Sequence, residues 1–302
     1  MPRRAVEAAL AHDGAVDIVI AGCGDLGIET GLRFAAQGHR VVGLRRRGGL
    51  VPAPLAGRSV DLRHEVAPIS PGADVVVVAL AAGSRDVDEY RATYVDGLRN
   101  VLDGIDVSGS APRVIVVSST AVYDVDDGST VTEATPAVAA TSTAGVLLEA
   151  EALLRSRVPD AVLARLSGVY GPGRERLIDQ VRSGSARLAP GVSPHTNRIH
   201  RDDAAAALVH LATLDDPAPT YLVTDDDPAR LDAVYAFLAA ELGVPEPPRA
   251  EAAEAAEAVG RQGAGDKRLS NALLRSTGWT PRFPSFREGY RAVLAGEGTR
   301  HP

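Results

Sequence analysis

A glycine-rich turn between an apolar run and a helical segment constrains the fold of this chain more than any other feature. The run DIVIA spans Asp17–Ala21, and the turn GCGDLG that follows it holds glycines at positions 22, 24 and 27. The next apolar residues recur at a helical period, and Gly38 is placed to end that helix. A second apolar run, RVVGL, follows at residues 40–44. The order strand, glycine turn, helix and strand predicts a βαβ unit.

Further runs of valine and isoleucine alternate with helical segments through the first half of the chain. They are DVVVVAL, RVIVVSS and AVLARLS, at residues 74–80, 113–119 and 161–167. Continuous apolar strands separated by helices indicate a parallel sheet that is covered on both faces. We therefore predict an α/β fold, a doubly wound parallel sheet of the Rossmann type.

The alternation of strands and helices weakens after residue 170. Helical segments at residues 202–214 and 231–242 flank one short apolar run, TYLVTD. We predict a dinucleotide-binding domain over residues 15–170 and a smaller substrate-covering part over residues 171–302. One strand and one helix near residues 196–224 are expected to rejoin the main sheet. The Ala/Glu-biased stretch at residues 251–266 favours a loop.

Charge and cysteine content exclude several classes of partner. The 302-residue chain has a formal net charge of -7, which does not favour binding to nucleic acid. Its single cysteine, Cys23, cannot form a disulfide framework, and no apolar run is long enough to span a membrane. Residues 1–16 begin with basic side chains but lack the apolar stretch of a signal peptide. We expect a cytoplasmic protein, and no metal site because no paired His/Cys spacing occurs.

The glycine turn has the features of a phosphate-binding loop. Gly22 would permit the tight turn, Gly24 would let the backbone approach a pyrophosphate, and Gly27 would allow close packing of helix and sheet. Asp25 and Leu26 begin the helix, whose N-terminus carries a partial positive charge. We predict that these five residues bind a dinucleotide. The alternative is a fold of this type that has lost its ligand.

The residues after the second strand distinguish NAD from NADP. An acidic residue there would bond the ribose 2′-hydroxyl and repel a 2′-phosphate, whereas this chain has Arg45, Arg46 and Arg47. Because arginine binds phosphate oxygens in a bidentate manner, we predict NADP rather than NAD, with Arg45 and Arg46 as ligands. The alternative is a solvated basic turn. Asp61 and Leu62, at the predicted end of a third strand, are expected to border the adenine.

Several stretches together resemble the extended short-chain dehydrogenase/reductase family, also called the NAD(P)-dependent epimerase/dehydratase type. They are GCGDLG, VVSSTAVYD, ARLSGVYGPG and RIHRDDAAAAL. The stretch DKRLSNALLRSTGWTPRFPSFREGY, at residues 266–290, is similar to the C-terminus of an atypical bacterial branch of that family. The resemblance implies the predicted fold and a nicotinamide cofactor. It is much less specific for the reaction.

The catalytic pair that the resemblance implies, Tyr-x-x-x-Lys on one helix, is absent from this chain. The tyrosine position falls on Thr141 and the lysine position on Gly145, and Lys267 is the only lysine of the chain. The family's asparagine position falls on Tyr94, and only its serine is retained, as Ser119. Because neither Thr141 nor Gly145 ionises near neutral pH, we do not expect the usual epimerase mechanism.

Two tyrosines are alternative proton donors beside Ser119. Tyr123 lies four residues after Ser119, and Tyr94 occupies the vacated asparagine position. The family keeps a tyrosine at the position of Tyr123 that has no role in proton transfer, so a structural role is the alternative there. Arg198 replaces an aromatic residue of the family and would favour an anionic substrate. The remaining candidates are Thr120, Tyr170, Arg198 and His200 for substrate, and Ala81 for cofactor.

Three functions fit these residues. The first is an NADP-dependent oxidoreductase that acts on a small carbonyl or hydroxyl compound through non-standard catalytic residues. The second is a non-catalytic NADP(H)-binding sensor or scaffold, and the third is a sugar-nucleotide epimerase or dehydratase with a displaced proton shuttle. The retained serine and cleft residues favour the first, whereas the missing pair favours the second. The resemblance also implies a possible homodimer, which would form through helices at residues 90–105 and 142–157.

Overall fold

A seven-stranded parallel sheet forms the centre of the molecule. The computed structural model describes residues 14–250 and 265–302; the N-terminal extension up to residue 13 and most of the Ala/Glu-biased stretch, residues 251–264, lie outside the described residues. The strands are β1 (Asp17–Ala21), β2 (Arg40–Arg45), β3 (Ala56–Ser59), β4 (Val75–Val78), β5 (Arg113–Ser119), β6 (Val162–Leu166) and β7 (Thr220–Val223). Their spatial order is β3-β2-β1-β4-β5-β6-β7. The predicted doubly wound α/β fold is confirmed.

Helices connect these strands and cover the sheet. They are α1 (Asp25–Ala36), α2 (Val87–Tyr90), α3 (Gly97–Ser108), α4 (Ser142–Arg157), α5 (Arg176–Arg182), α6 (Arg201–Thr213), α7 (Leu231–Leu242), α8 (Ala272–Ser276) and α9 (Phe286–Leu294). A π-helical stretch, Arg91–Asp96, joins α2 to α3. No helix in the described ranges is both long and apolar enough to cross a membrane.

Two apolar layers hold the helices on the sheet. Ile28 and Phe34 of α1 and Leu208 of α6 are fully buried on one face. Leu98 of α3 and Val146 of α4 are buried on the other face. Burial of one such side chain contributes roughly 1.5–3 kcal/mol, so both layers are needed to keep the valine-rich strands out of water. The continuous apolar runs in the sequence follow from this two-sided burial.

The C-terminal half adds a smaller apolar cluster and two short strand pairs beside the carboxyl ends of the main strands. In this cluster, α5, α7 and α9 pack together. Gly168–Tyr170 pairs in parallel with Arg198–His200, and His195–Thr196 pairs antiparallel with Ala229–Arg230. These pairings bring residues 195–198 toward the end of β6. Strand β7 extends the main sheet next to β6. The division near residue 170 stays a prediction.

The sheet order reverses between β1 and β4. Strand β1 pairs with β2 on one side and with β4 on the other, and all of these pairings are parallel. In open parallel sheets, ligands bind at the carboxyl ends of the strands where the order reverses. A ligand site is therefore expected at the loops after β1, β4 and β5.

Candidate functional site

Two of the three glycines after β1 occupy positions that leave no room for a side chain. Gly22 has a φ of +85°, and a Cβ there would lie 2.6 Å from the backbone oxygen of Ala79. A Cβ at Gly27 would lie 2.7 Å from the backbone oxygen of Gly22. A Cβ at Gly24, by contrast, would meet no atom within 4 Å. Gly22 and Gly27 are thus required by the protein itself, whereas Gly24 borders open space that a side chain would fill.

A cavity of about 660 Å³ opens beside this turn, and we call it the cofactor cavity. Its volume is within the range of small-molecule sites, roughly 300–1,000 Å³. It is lined by every residue predicted to bind the dinucleotide: Gly22, Gly24, Asp25, Leu26, Gly27, Arg45, Arg46, Asp61, Leu62 and Ala81. The first helical turn of α1 faces it, and the N-cap residue Gly24 supplies no capping side chain to the free amides there. The cavity has the shape and the donors that a pyrophosphate requires.

Arginines and acidic side chains alternate at the adenosine end of the cofactor cavity. Arg45 at the end of β2 donates from Nη1 to the backbone oxygen of Pro302 at 2.6 Å. Arg63 forms two hydrogen bonds with the Asp61 carboxylate, of 3.0 and 2.7 Å. The hydrogen bond from Arg63 lowers the pKa of Asp61 to about 2, so this carboxylate is charged at neutral pH.

The phosphate end of the cavity is fixed by the carboxylate of Asp25. Its Oδ1 accepts hydrogen bonds from Arg201 Nη1 at 2.6 Å and from the His301 N–H at 3.1 Å. Its Oδ2 accepts from Arg174 Nε at 3.0 Å. Burial alone would raise the pKa of Asp25, but these donors hold it below its ordinary value. The start of α1 is thereby tied to residues far along the chain.

A second cavity, of about 360 Å³, adjoins the first, and we call it the substrate cavity. Ser119, Ser167, Val169 and Arg174 line both cavities and so mark the junction between them. Ser119 is the last residue of β5, as the sequence predicts, and its hydroxyl accepts the Ala121 N–H at 3.2 Å. Ser167 Oγ is buried and has no hydrogen-bond partner in the part of the chain that the structure describes. An unpaired buried hydroxyl is costly and calls for a bound group at the junction.

Among the described residues, the substrate cavity is lined by four cationic side chains and by no carboxylate. Arg174, Arg176, Arg198 and Lys267 all line it. Arg198 is only 5% exposed, and its Nη1 has no hydrogen-bond partner within residues 14–250 and 265–302. A cavity with this lining attracts an anion, although the chain as a whole has a formal net charge of -7.

The acidic neighbour of Arg198 does not neutralise it at pH 7. Asp225 is 1% exposed, and burial raises its pKa to about 8 even though Arg198 acts in the opposite direction. Asp225 is therefore mostly protonated at neutral pH and offsets little of the positive charge of the Arg198 guanidinium.

The helix that carries the family's catalytic pair begins with a structural cap. Thr141 Oγ1 accepts the Ala144 N–H at 3.2 Å, as an N-cap residue does. A Cβ at Gly145 would meet nothing within 4 Å, so the space for a lysine side chain is open there. Tyr94, from the π-helical stretch, lines the cofactor cavity, and its hydroxyl accepts the Ala82 N–H at 3.4 Å. Burial raises the pKa of Tyr94.

Tyr123 lies in the core and lines neither the cofactor nor the substrate cavity. It is 1% exposed, and its hydroxyl accepts a hydrogen bond from Arg165 Nη1 at 2.6 Å. After Ser119 the chain turns into a 3-10 helix, Thr120–Val122, which directs Tyr123 away from the junction. This position does not support the prediction that Tyr123 donates a proton, and it favours the structural alternative.

His200 also has a structural position rather than the predicted contact with substrate. It is 1% exposed and does not line the substrate cavity. Its Nδ1 accepts the Asp202 N–H at 3.2 Å and so caps α6. Burial lowers the pKa of His200 to about 4. The other three substrate candidates, Thr120, Tyr170 and Arg198, do line the cavity.

Two residues of the substrate cavity, His195 and Lys267, were missed by sequence reasoning. Lys267 lines it and donates from Nζ to the Tyr123 backbone oxygen at 2.6 Å. His195 lines it as well, and its Nδ1 lies 2.7 Å from Asp266 Oδ1. The available signals were that Lys267 is the only lysine and that Asp266 and Lys267 begin the stretch similar to the atypical branch. Among the described residues, no group of three His, Cys, Asp or Glu side chains is placed to hold a metal ion.

Known proteins were compared with this chain and this fold. No family model matches the chain. A curated relative, 3-diazoavenalumate denitrifying reductase of a Streptomyces species, is 32% identical over 163 residues. That match covers 49% of this chain and 52% of the relative, so the chain spans about half the length of the curated relative it matches.

Solved structures match nearly the whole chain. The enzyme WbmG of Bordetella bronchiseptica in complex with NAD is 19% identical, with a TM-score of 0.72 over 93% of this chain and 94% of its own, and shows the fold alone. A protein of Methylobacillus flagellatus, proposed to be an NAD-dependent epimerase/dehydratase, is 34% identical, with a TM-score of 0.74. The match covers 94% of this chain and 99% of that protein, and the glycine turn and retained serine lie where the resemblance implies. The chain thus belongs to the extended short-chain dehydrogenase/reductase family of NAD-dependent epimerases and dehydratases.

Proposed function

We propose that this protein is an NAD(P)H-dependent oxidoreductase that reduces a small anionic carbonyl compound. The observation that carries the proposal is the junction of the two cavities at Ser119, Ser167, Val169 and Arg174. A cofactor in one cavity and a substrate in the other would meet at this junction. The curated relative is named a reductase, which supports reduction rather than epimerisation.

The residues of the cofactor cavity fit a nicotinamide dinucleotide. The open space at Gly24 and the free amides of α1 would hold the pyrophosphate, and Ser167 Oγ would bond the group at the junction. A reduced nicotinamide dinucleotide held by these residues would supply a hydride for reduction of the substrate carbon. Ser119 would hold the substrate oxygen, and the cations of the substrate cavity would orient the anionic end.

The direct experiment for this proposal combines titration with a turnover assay. Purified protein is titrated with NADPH and NADH, and NADPH oxidation is then followed with a panel of carboxylated and neutral aromatic aldehydes. We expect binding of the reduced cofactor and oxidation with at least one carboxylated aldehyde. Lack of binding to either cofactor contradicts the proposal at its first step.

Arg45→Met tests the preference for NADP. A 2′-phosphate would replace the Pro302 oxygen as the acceptor of Arg45, and a charge-assisted hydrogen bond of this kind contributes about 1.5–3 kcal/mol. We expect the Kd for NADPH to rise about tenfold and the Kd for NADH to change less than about twofold. The control is Arg58→Met, on the exposed strand β3 and outside the cavity lining. Equal losses for both cofactors in Arg45→Met would remove the NADP preference.

Arg176→Met tests the anionic substrate. Arg176 is the first residue of α5 and lines the substrate cavity. Arg182 is the last residue of the same helix, pairs with Asp179 and does not line the cavity. We expect kcat/KM for 4-carboxybenzaldehyde to fall about tenfold relative to its neutral methyl ester in Arg176→Met, because one favourable charge interaction is lost. Arg182→Met should keep the wild-type ratio. A wild-type enzyme without preference for the carboxylated aldehyde would contradict this substrate class.

The second candidate function is a non-catalytic NADP(H) sensor or scaffold, which the threonine and glycine at positions 141 and 145 favour. Such a protein would bind the oxidised and reduced cofactors with different affinities and oxidise no NADPH in the aldehyde panel. A sugar-nucleotide epimerase with a displaced proton shuttle is the third candidate. It would interconvert epimers of its substrate without net oxidation of cofactor. The homodimer stays a prediction.

A further inference from the structure

A histidine and an aspartate form a hydrogen-bonded pair in the wall of the substrate cavity. His195 Nδ1 lies 2.7 Å from Asp266 Oδ1, and the same oxygen accepts the His195 backbone N–H at 2.8 Å. Both side chains are partly buried, with relative exposures of 17% for His195 and 26% for Asp266. The carboxylate thus holds the backbone and the ring of His195 at once. This double contact fixes the orientation of the imidazole.

We propose that His195, oriented by Asp266, donates the proton to the substrate oxygen in place of the tyrosine that is missing at position 141. The inference rests on the proposed reductase function and deepens it. It names the acid of a site whose usual acid is absent.

The Asp266 contact selects which ring nitrogen can act. A charged carboxylate accepts a hydrogen bond and has no hydrogen to donate, so Nδ1 carries the hydrogen in this pair. Nε2 is then the nitrogen that can exchange a proton with a molecule in the cavity that His195 lines. The two contacts with Asp266 also hold the ring in one orientation. An acid with these two properties is suited to protonate a developing alkoxide.

The other ionisable side chains of the substrate cavity are less suited to donate this proton. Lys267 Nζ donates to the Tyr123 backbone oxygen, and Tyr235 OH donates to Gln180 Oε1 at 3.2 Å. Tyr290 interacts with Arg198. The Tyr170 hydroxyl has no hydrogen-bond partner among the described residues, but it is packed against Gly289 of α9, and burial raises its pKa. His195 combines an available ring nitrogen with an orienting carboxylate.

The proton transfer completes a balanced reduction. The carbonyl carbon accepts a hydride from the reduced nicotinamide dinucleotide, and the electron pair of the C=O π bond moves to the oxygen. That oxygen accepts the proton from Nε2 of the His195 imidazolium, directly or through one water. The products are the alcohol, the oxidised dinucleotide and a neutral imidazole, which regains a proton from solvent.

Three charged side chains lie next to His195 in space or in the chain and bear on the pH dependence of the reaction. Asp266 contacts the ring, Arg230 pairs with His195 in the strand register, and Lys267 follows Asp266 in the chain. Because His195 is the proposed acid, the wild-type reduction rate should fall from acidic to alkaline pH. His195→Gln should remove this pH dependence and lower kcat by about 100-fold, since general acid catalysis contributes roughly 10²–10⁴-fold.

Three further measurements separate this role from a structural one. The Kd for NADPH should stay unchanged in His195→Gln. Asp266→Asn should lower kcat less than His195→Gln. In ¹⁵N NMR spectra of the free protein, neutral His195 should carry its proton on Nδ1, and Asp266→Asn should shift the proton toward Nε2. The control is His210→Gln. His210 lies on α6, forms a hydrogen bond with Thr277 and lines neither the cofactor nor the substrate cavity.

The outcomes distinguish this inference from the proposed function. If wild-type protein reduces the carboxylated aldehyde and His195→Gln keeps its rate and pH profile, the inference is wrong and the reductase function stands. A proton found on Nε2 of neutral wild-type His195 overturns the inference as well. If the wild type binds NADPH but reduces no aldehyde of the panel, both proposals fall together.

Discussion

Gly24→Val should abolish measurable binding of NADPH and NADH while the protein stays folded. A Cβ at Gly24 meets no protein atom within 4 Å, so the valine side chain enters the open space of the cofactor cavity. That space is where the pyrophosphate would contact the backbone amides of α1. We expect Kd to rise at least about 100-fold for both cofactors, which corresponds to about 2.7 kcal/mol of binding free energy. Fluorescence titration of NAD(P)H measures it.

The stability of Gly24→Val makes this a test of binding. Valine is a poorer N-cap than glycine by about 1 kcal/mol, so Tm should fall by no more than about 4 °C. Gly49→Val is the matched control, because Gly49 also borders open space but does not line the cofactor cavity. It should bind both cofactors like the wild type. Cofactor binding by Gly24→Val within threefold of the wild type would show that the pyrophosphate does not lie at the turn.

The same turn shows why its role was predictable from sequence. The glycine spacing, the apolar run before it and the helical period after it are local signals, and local signals survive without knowledge of distant contacts. The positive φ of Gly22 and the close approach of Gly27 to Gly22 depend only on residues in this turn and the neighbouring strand. The apolar valine runs are also local signals, and they predict the positions of the buried strands.

The substrate cavity was less predictable because it is assembled from distant segments. His195 and Asp266 are 71 residues apart, and hydrogen bonds of Asn197 with the backbones of Lys267 and Leu269 hold their two segments together. Strand pairs of two residues have no periodic signature in a sequence. Tyr123 shows the opposite error, because its spacing from Ser119 suggests proximity while the 3-10 turn rotates it into the core. The π-helical stretch that carries Tyr94 likewise has no sequence signal.

Arg165→Met should destabilise the protein by about 3–5 kcal/mol, the largest stability effect that we expect from a single ion pair here. Arg165 Nε and Nη2 lie 3.0 and 2.5 Å from the two carboxylate oxygens of Glu151. Arg165 is 9% exposed and Glu151 is 7% exposed, and Ser118 also donates to Glu151. Removal of the guanidinium leaves a buried carboxylate without its counter-ion. Urea denaturation of wild type and variant measures the loss.

Two further variants identify the cause of that loss. Arg91→Met breaks the exposed pair of Arg91 with Glu149, which lies on the same helix as Glu151, and should cost at most about 1 kcal/mol. The double variant Arg165→Met/Glu151→Met should regain most of the stability, because paired apolar side chains of similar volume need no counter-ion. If Arg165→Met costs no more than Arg91→Met, Glu151 is solvated rather than buried. The pair would then not stabilise the end of β5, from which Ser119 enters the junction of the two cavities.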